Sequence, residues 1–291
     1  MRPDIGGSAV SVRTARRRVL HVMAPTDSQR ARAAERADLL AAEEPLGIRV
    51  HGSALTMTMR TPGDDVELVA GFLVSEAVVR SANDIAEIRI CTGISCDHGE
   101  HDGPGNIADV TLAADVAVPP AARRSFLTTS ACGVCGKASI DDIVALPHTD
   151  LAVDDTRFPA AVLAALPEQL RGAQRVFSRT GGLHAAGLFT RCGELIVVRE
   201  DVGRHNAVDK VVGWAFLNDM LPLTGCALLV SGRASFELVQ KAVLAGIPLL
   251  AAVSAPSSLA ADLADEAGLT LVGFLRGSSM NVYTRPQRVL V

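Results

Sequence analysis

The stretch ALLVSGRASFELVQKAVLAGIPLLAAV, residues 227–253, alternates two short apolar runs with one amphipathic segment. The apolar runs at 227–230 and 248–253 are continuous, as in strands that are buried on both faces of a sheet. The segment between them, 235–246, repeats its apolar residues at the spacing of a helix. The stretch therefore predicts a strand–helix–strand unit whose two strands lie parallel in one sheet.

The same alternation continues on both sides of this stretch and predicts an α/β domain over residues 158–291, with a mostly parallel sheet covered by helices on both faces. The further predicted helices lie at 160–170, 205–219 and 257–268. The further predicted strands lie at 185–190, 194–199, 269–274 and, at the edge of the sheet, 280–283.

The first half of the chain has a different pattern of predicted elements. Residues 43–120 predict a small α+β domain, with a hairpin over 46–60, a helix over 66–79 and strands at 85–91 and 107–112. Residues 1–42 are rich in arginine and alanine, and we expect a flexible basic arm with one helix near 28–42. The turn-rich region 121–157 is interpreted as a mobile loop region.

Composition limits the classes of function. The chain has 291 residues, of which 48% are hydrophobic and 21% charged, so it can form one large or two ordinary domains with a buried core. A formal net charge of −4 and an aromatic content of 3% argue against nucleic-acid binding. No apolar run approaches the ~20 residues of a membrane-spanning helix, and no segment fits an export signal. We expect a cytoplasmic protein with reduced cysteines.

The predicted strands end in polar, glycine-containing segments. In parallel α/β sheets these carboxyl ends meet at one edge, where ligands bind. Glycine lets the backbone approach a ligand, and arginine with helix N-termini favours phosphate, so we interpret the edge as a nucleotide-like site. Ordinary helix caps and surface salt bridges are the alternative for any single junction. The four segments are 199–206, 231–235, 254–257 and 274–279.

The densest polar cluster lies at the first of these junctions. His205 follows Glu200 and Asp201 and precedes Asp209 by one helical turn. The residues alone leave three roles for His205: a general acid or base, a group that orients a phosphate, or a simple hydrogen bond to Asp209. No Walker motif and no Gly-x-Gly-x-x-Gly after a strand is present, so the sequence is not that of a P-loop ATPase or an ordinary NAD site.

The six cysteines include one Cys-x-x-Cys pair, Cys132 and Cys135. Structural zinc prefers four ligands, and the spacing of the other candidates matches no zinc ribbon, so we predict no metal site. Both cysteines are followed by glycine and no clear strand precedes them, which disfavours a thioredoxin-like turn. A thiolate near Lys137 could instead accept sulfur as a persulfide. The other candidate ligands are Cys91, Cys96, His98 and His101, whereas Cys192 and Cys226 are predicted to be core residues.

Several motifs together resemble one family, the FdhD family of sulfurtransferases that formate dehydrogenase activity requires. The resemblance covers nearly everything after residue 42. The motifs are SACGVCGK at 130–137, REDVGRHNAVDK at 199–210, SGRASFE at 231–237, RGSSMNVYT at 276–284, EEPL at 43–46 and MRTPGD at 59–64.

The resemblance implies that Cys132 carries a persulfide with Cys135 as its partner. Sulfur would come from a cysteine desulfurase and pass to the molybdenum bis-pterin guanine dinucleotide before this cofactor is inserted into the formate dehydrogenase catalytic subunit. GDP or GTP would be mimics of that substrate. A homodimer is expected, because two identical halves would face a bis-pterin ligand. The alternative is a non-catalytic chaperone that binds the guanine nucleotide or the cofactor and has a structural or inert cysteine pair. The implied binding residues are His205, Asn206, Asp209, Ser231, Gly232, Arg233, Phe274, Leu275, Arg276, Gly277, Ser278 and Ser279.

The resemblance also implies a three-layer αβα, cytidine-deaminase-like fold for residues 158–291. Cytidine deaminases hold zinc with a His-x-Glu motif and a cysteine pair. Here His184 is followed by two alanines, and 199–206 contains no cysteine. We therefore expect no deaminase chemistry from this domain.

Overall fold

The computed structural model describes residues 4–5, 13–26, 28, 30–91, 106–119, 146 and 149–291. The predicted Cys132/Cys135 loop lies outside these residues, as do Cys96, His98 and His101. The helices are α1 (Asp65–Ser75), α2 (Ala160–Ala173), α3 (Phe177–Thr180), α4 (Arg204–Leu217), α5 (Phe236–Leu244) and α6 (Ser258–Glu266). The strands are β1 (Asp4–Ile5), β2 (Thr14–Met23), β3 (Arg32–Ala41), β4 (Glu44–Val50), β5 (Ser53–Arg60), β6 (Ile85–Cys91), β7 (Ile107–Leu112), β8 (Phe158–Pro159), β9 (His184–Thr190), β10 (Leu195–Asp201), β11 (Cys226–Val230), β12 (Leu249–Ala252), β13 (Thr270–Arg276), β14 (Ser279–Val282) and β15 (Val289–Leu290).

The N-terminal part contains one five-stranded sheet in the order β1-β6-β7-β4-β5. Strands β4 and β5 form the predicted hairpin, and β4 also pairs in parallel with β7. Leu46, Ile48 and Val50 alternate with partly exposed residues, so one face of the sheet is buried. Helix α1 packs on that face, and its buried residues share one core with the strands.

The C-terminal sheet has six strands in the order β10-β9-β11-β12-β13-β14. The prediction of a mostly parallel sheet needs correction, because only the β11–β12 and β12–β13 pairings are parallel. Strand β9 forms a hairpin with β10 and is inserted between β10 and β11, and β14 folds back on β13 through a short turn. Each such reversal makes an antiparallel pair. Strands β10, β11, β12 and β13 nevertheless run in the same direction, so their carboxyl ends share one edge.

Helices cover both faces of this sheet, as the continuous apolar runs predict. Leu229 lies in a cluster with Leu163 and Leu170 of α2. The neighbouring residues Leu228 and Val230 point to the other face and join the cluster of α4, α5 and α6. The architecture of this part is therefore three layers, αβα. None of the helices in the described residues is long and apolar enough to span a bilayer.

The predicted helix in the N-terminal arm is wrong. Residues 32–41 form strand β3, which pairs antiparallel with β2 over ten residue pairs, from Thr14–Ala41 to Met23–Arg32. The alanine and arginine content of this segment favours a helix locally. Pairing with β2, which supplies Val19 and Val22, overrides that preference, and the local pattern of one segment cannot report which other segment pairs with it.

Candidate functional site

The carboxyl ends of β11, β12 and β13 are joined directly by backbone hydrogen bonds. Ser254 N donates to Gly232 O at 3.3 Å, and Phe274 N donates to Ser254 O at 3.1 Å. Ser257 N donates to Ala234 O at 3.0 Å, next to a parallel bridge between Ala234 and Pro256. The predicted convergence of strand ends is therefore present. We use "the rim" for segments 204–206, 231–235, 254–257 and 274–279.

The start of α4 joins the rim at Gly232. A Cβ built on Gly232 would lie 3.4 Å from His184 Nδ1 and 3.9 Å from Arg204 Cδ. The Gly232 backbone thus lies close to the His184 imidazole and to the aliphatic part of the Arg204 side chain. The Nε of Arg204 is buried and has no hydrogen-bond partner in the described part of the chain. This corner of the rim combines a cation with the N-terminus of a 14-residue helix, which favours an anion.

Two further arginines of the rim are exposed. Arg233 lies on the β11 end and Arg276 on the β13 end, two segments joined through Ser254. Arg276 Nε donates to Val253 O at 2.8 Å, and its guanidinium carbon lies 5.9 Å from the centre of the Phe274 ring. Phe274 is 40% exposed. The rim therefore presents cations and one apolar ring to solvent.

His205 pairs with Glu237. The alternative from the sequence in which His205 bonds to Asp209 is not what the structure shows. The Nε2 atom of His205 lies 2.7 Å from Glu237 Oε2 and 3.3 Å from Ser235 Oγ. The geometry places His205 and Glu237 together at the edge of the rim, where both are partly exposed. Burial lowers the pKa of the neighbouring His184, and the positive charge of Arg204 lowers it further. His184 is therefore held neutral to a lower pH than an exposed imidazole.

Asp209, a predicted ligand contact, lies inside the protein. It is 2% exposed, and its carboxylate accepts hydrogen bonds from Lys241 Nζ at 2.7 and 2.9 Å. Ser75 Oγ of helix α1 donates to the same carboxylate at 2.7 Å. Asp209 therefore ties α4 to α5 and α1, and it has no open side towards the rim.

Asn206 is likewise occupied by protein partners. Its Nδ2 donates to Met59 O at 2.8 Å and to Asp201 Oδ1 at 3.1 Å. Its Oδ1 accepts from Thr58 Oγ1 at 3.2 Å. The side chain thus fastens strand β5 to the start of α4, and the ligand contact of Asn206 stays a prediction.

The remaining predicted rim residues divide into core and surface. Leu275 is completely buried in the cluster under α2, so its side chain belongs to the core. Ser231 Oγ accepts from Ala185 N at 2.9 Å, which fixes it to β9. Three predicted residues are exposed at the β13–β14 turn: Gly277, Ser278 and Ser279.

Buried polar contacts between the two parts of the chain were missed by the sequence reasoning. Lys210 Nζ lies 2.7 Å from Asp201 Oδ2 and donates to Thr61 O at 2.9 Å. Arg199 donates to both carboxylate oxygens of Glu67. Burial raises the pKa of Glu67, and the hydrogen bond and charge of Arg199 oppose this rise. Glu67 and Thr61 lie more than 130 positions from Arg199 and Lys210, so no local pattern could signal these two contacts.

Three cysteines lie in the described residues, and the first of them, Cys91, ends strand β6 and is buried. Cys192 is exposed in the β9–β10 turn, which contradicts its predicted core position. Cys226 is partly buried, and burial raises the pKa of its thiol. Within the ranges that the structure covers, no group of three metal-ligating side chains occurs. Cys132 and Cys135 lie outside those ranges, so their roles stay predictions.

The fold and rim define a two-part mixed α/β protein with a cationic edge suited to a phosphate-bearing ligand. A profile of the FdhD/NarQ family matches residues 41–290. The chain belongs to the FdhD/NarQ family.

Similar proteins cover nearly the whole chain. The sulfur carrier protein FdhD of Mycolicibacterium paratuberculosis is 54% identical over 277 residues, which are 95% of this chain and 98% of that protein. The sulfur carrier protein FdhD of Streptomyces coelicolor is 59% identical over 256 residues, 87% and 90% of the two chains. The crystal structure of a putative formate dehydrogenase accessory protein from Desulfotalea psychrophila superposes with a TM-score of 0.71 and 25% identity, over 95% of this chain and 99% of that one.

Proposed function

We propose that this protein is a sulfur carrier that serves the maturation of formate dehydrogenase. Relatives at 54% and 59% identity are sulfur carrier proteins, and a structural neighbour is a formate dehydrogenase accessory protein. The Cys132/Cys135 pair falls within the matched residues 41–290. Sulfur is accepted from a cysteine desulfurase as a persulfide on Cys132 and passed to a molybdenum bis-pterin guanine dinucleotide, the substrate.

The loading step is a balanced exchange between two thiols. The Cys132 thiolate attacks the outer sulfur of the donor's persulfide, a new S–S bond forms, and the old one breaks. The donor leaves as a thiolate, so no external oxidant is consumed. Cys135 has two alternative roles: it attacks Cys132 of the persulfide, which releases hydrosulfide and leaves a disulfide, or it carries sulfur itself. Lys137 favours the reactive thiolate form of both.

The rim is the proposed place of the guanine dinucleotide. The observation that carries this assignment is the pair of exposed arginines, Arg233 and Arg276, on strand ends that are bonded to each other. Exposed guanidinium groups bind phosphate oxygens in bidentate geometry. His205, Phe274 and the 277–279 turn complete the surface, and GDP or GTP should occupy it as mimics of the substrate.

A cytidine-deaminase-like arrangement of the C-terminal part belongs to the same proposal. Its support is the three-layer order in which helices leave strand ends at one edge of the sheet. The chemistry is different, because Ala185 and Ala186 follow His184 and provide no glutamate to activate water. The partners are the donor desulfurase and the formate dehydrogenase catalytic subunit, and the expected assembly is a homodimer.

The proposal is tested by complementation of a strain that lacks its own copy of this protein. Cys132→Ala should abolish formate dehydrogenase activity, whereas Cys192→Ala should restore activity as the wild type does, because Cys192 is an exposed cysteine in a turn. Full activity with Cys132→Ala would overturn the carrier assignment. That result would favour the alternative function, a non-catalytic chaperone that binds the guanine nucleotide or the cofactor.

A further inference from the structure

Strands β2 and β3 form a separate two-stranded ribbon, which the proposed function does not use. The ribbon is a sheet of its own, so the outer edges of both strands have no neighbouring strand in the described residues. Nearly all its side chains outside its base are exposed. Two-stranded ribbons are marginally stable in water, and their free edges readily accept a third strand.

The ribbon is strongly basic within an acidic chain. Residues 13–41 contain seven arginines and three acidic residues, whereas the whole chain has a formal charge of −4. Arg18 lies 3.4 Å from Glu35, but both side chains are mostly exposed, so this pair contributes little. A surface cavity of about 350 Å³ lies on part of the ribbon. Its lining consists of Arg16, Arg17, Arg18, Glu35, Arg36 and Ala37.

Apolar side chains accompany these charges. Leu20 and Val22 are 63% and 59% exposed and lie on one face of β2, and Leu40 of β3 is also exposed. A surface that mixes arginine with aliphatic side chains suits a protein segment whose acidic and aliphatic residues alternate. The ribbon contains no aromatic residue, so it offers no platform on which single-stranded nucleic acid could stack.

The base of the ribbon is anchored next to the two parts of the protein that meet at the rim. Arg13 Nη2 donates to Asp64 Oδ2 at 2.8 Å, immediately before helix α1. Strand β3 packs against α3, whose first amides donate to Glu200 at the end of β10. A partner held by the ribbon would therefore be held close to elements that carry the rim.

We propose that the ribbon is a docking site for an acidic, extended segment of a protein partner, which adds as a third strand to one of its free edges. Main-chain hydrogen bonds would supply affinity, and the arginines would select acidic side chains.

A second copy of this chain fits the site less well. Among the described edge strands of the two larger sheets, β5 and β14 contain no acidic residue, and β1 is only two residues long. Glu200 and Asp201 of β10 are buried and bonded within their own chain. Among the described edge strands of these two sheets, none longer than two residues offers the exposed acidic side chains that the ribbon would select.

The test uses the full-length protein and a labelled ten-residue peptide that alternates glutamate and valine. Fluorescence anisotropy should show saturable binding that Arg17→Glu/Arg36→Glu weakens at least about tenfold, because like charges would then face each other. Arg17→Gln/Arg36→Gln should give an intermediate loss. The matched control Arg157→Glu/Arg191→Glu changes two exposed arginines outside the ribbon and should bind as the wild type does. Hydrogen exchange should slow in β2 or β3 when the peptide binds.

Several results would overturn the proposal. Equal binding by the ribbon variant and the wild type, equal binding of a lysine–valine peptide, or exchange protection outside residues 14–41 would each contradict strand addition at the ribbon. Sedimentation that changes from dimer to monomer in Arg17→Glu/Arg36→Glu would make a second copy the occupant. Tighter binding of a DNA duplex, with the same arginine dependence, would make nucleic acid the occupant.

Discussion

Gly71 and Gly213 face each other where helices α1 and α4 cross, and a Cβ on Gly71 would lie 2.8 Å from the backbone nitrogen of Gly213. The same Cβ would lie 1.8 Å from Asp209 O, and a Cβ on Gly213 would lie 1.8 Å from Glu67 O. No side chain fits between these backbones. The crossing therefore fixes the distance between the N-terminal sheet, which α1 covers, and the C-terminal sheet, which α4 covers.

The first prediction concerns this crossing. Gly71→Ala should lower the free energy of unfolding by at least about 3 kcal/mol, the upper end of the cost of overpacking, because a rigid backbone carbonyl cannot move aside. Gly172→Ala in α2 is the matched control, since a Cβ there meets nothing within 4 Å. The control should be neutral or stabilising by up to about 1 kcal/mol. Urea denaturation measures both, and equal stabilities of the two variants would contradict the close crossing.

The second prediction concerns the buried pair of Asp209 and Lys241. Lys241→Met leaves the carboxylate buried without its cation and should cost about 3–5 kcal/mol of unfolding free energy. The double variant Asp209→Leu/Lys241→Met removes both charges, and its unfolding free energy should fall much less than that of the single variant. Glu87→Gln breaks the exposed pair with Arg89 and should stay within about 1 kcal/mol of the wild type. A double variant that loses as much as or more than Lys241→Met would contradict this account.

The third prediction concerns pH. The pKa of His184 is lowered in the folded protein, first by burial and then by Arg204. The unfolded chain therefore binds this proton more readily, so stability is lost as pH falls below the unfolded value of about 6.5. Between pH 7.5 and 5.5 the wild type should lose more unfolding free energy than His184→Gln. An NMR titration midpoint of His184 above that of a model peptide would contradict the prediction.

The fourth prediction concerns the rim. Arg233→Ala and Arg276→Ala should each weaken GDP binding by about 10- to 100-fold, the loss expected for a charge-assisted hydrogen bond. Arg191→Ala, an exposed arginine in the β9–β10 turn, is the control and should bind GDP as the wild type does. Isothermal titration calorimetry at one fixed salt concentration makes the comparison. Unchanged affinity in both rim variants would place the nucleotide elsewhere.

Helices and strands whose apolar residues follow a clear local pattern could be predicted closely from the sequence. Strands β6 and β7 have the predicted bounds, 85–91 and 107–112, and the β11–α5–β12 unit follows its alternation of apolar runs. The edge position of β14 was also correct. Strand order was less accessible, because the insertion of β9 between β10 and β11 depends on pairing that no single segment encodes.

The candidate site shows the same limit at the level of side chains. The strand ends could be placed at one edge because parallel strands require it. The orientation of individual side chains could not be predicted in this way. Asp209 and Asn206 point to partners in α1, α5 and β5, and Leu275 points to the core. Thr61 and Ser75 lie more than 130 positions from the residues that they contact in the C-terminal part.

The most direct test of the proposed function is the mass of the protein after sulfur loading. Incubation with a cysteine desulfurase and cysteine should add about 32 Da per sulfur, on a peptide that contains Cys132 and Cys135. The addition should disappear on treatment with a thiol reductant and should be absent in Cys132→Ala. Cys192, exposed in its turn, serves as the internal control and should stay unmodified. A protein that never gains this mass, or that gains it only on Cys192 or Cys226, would contradict the sulfur-carrier account.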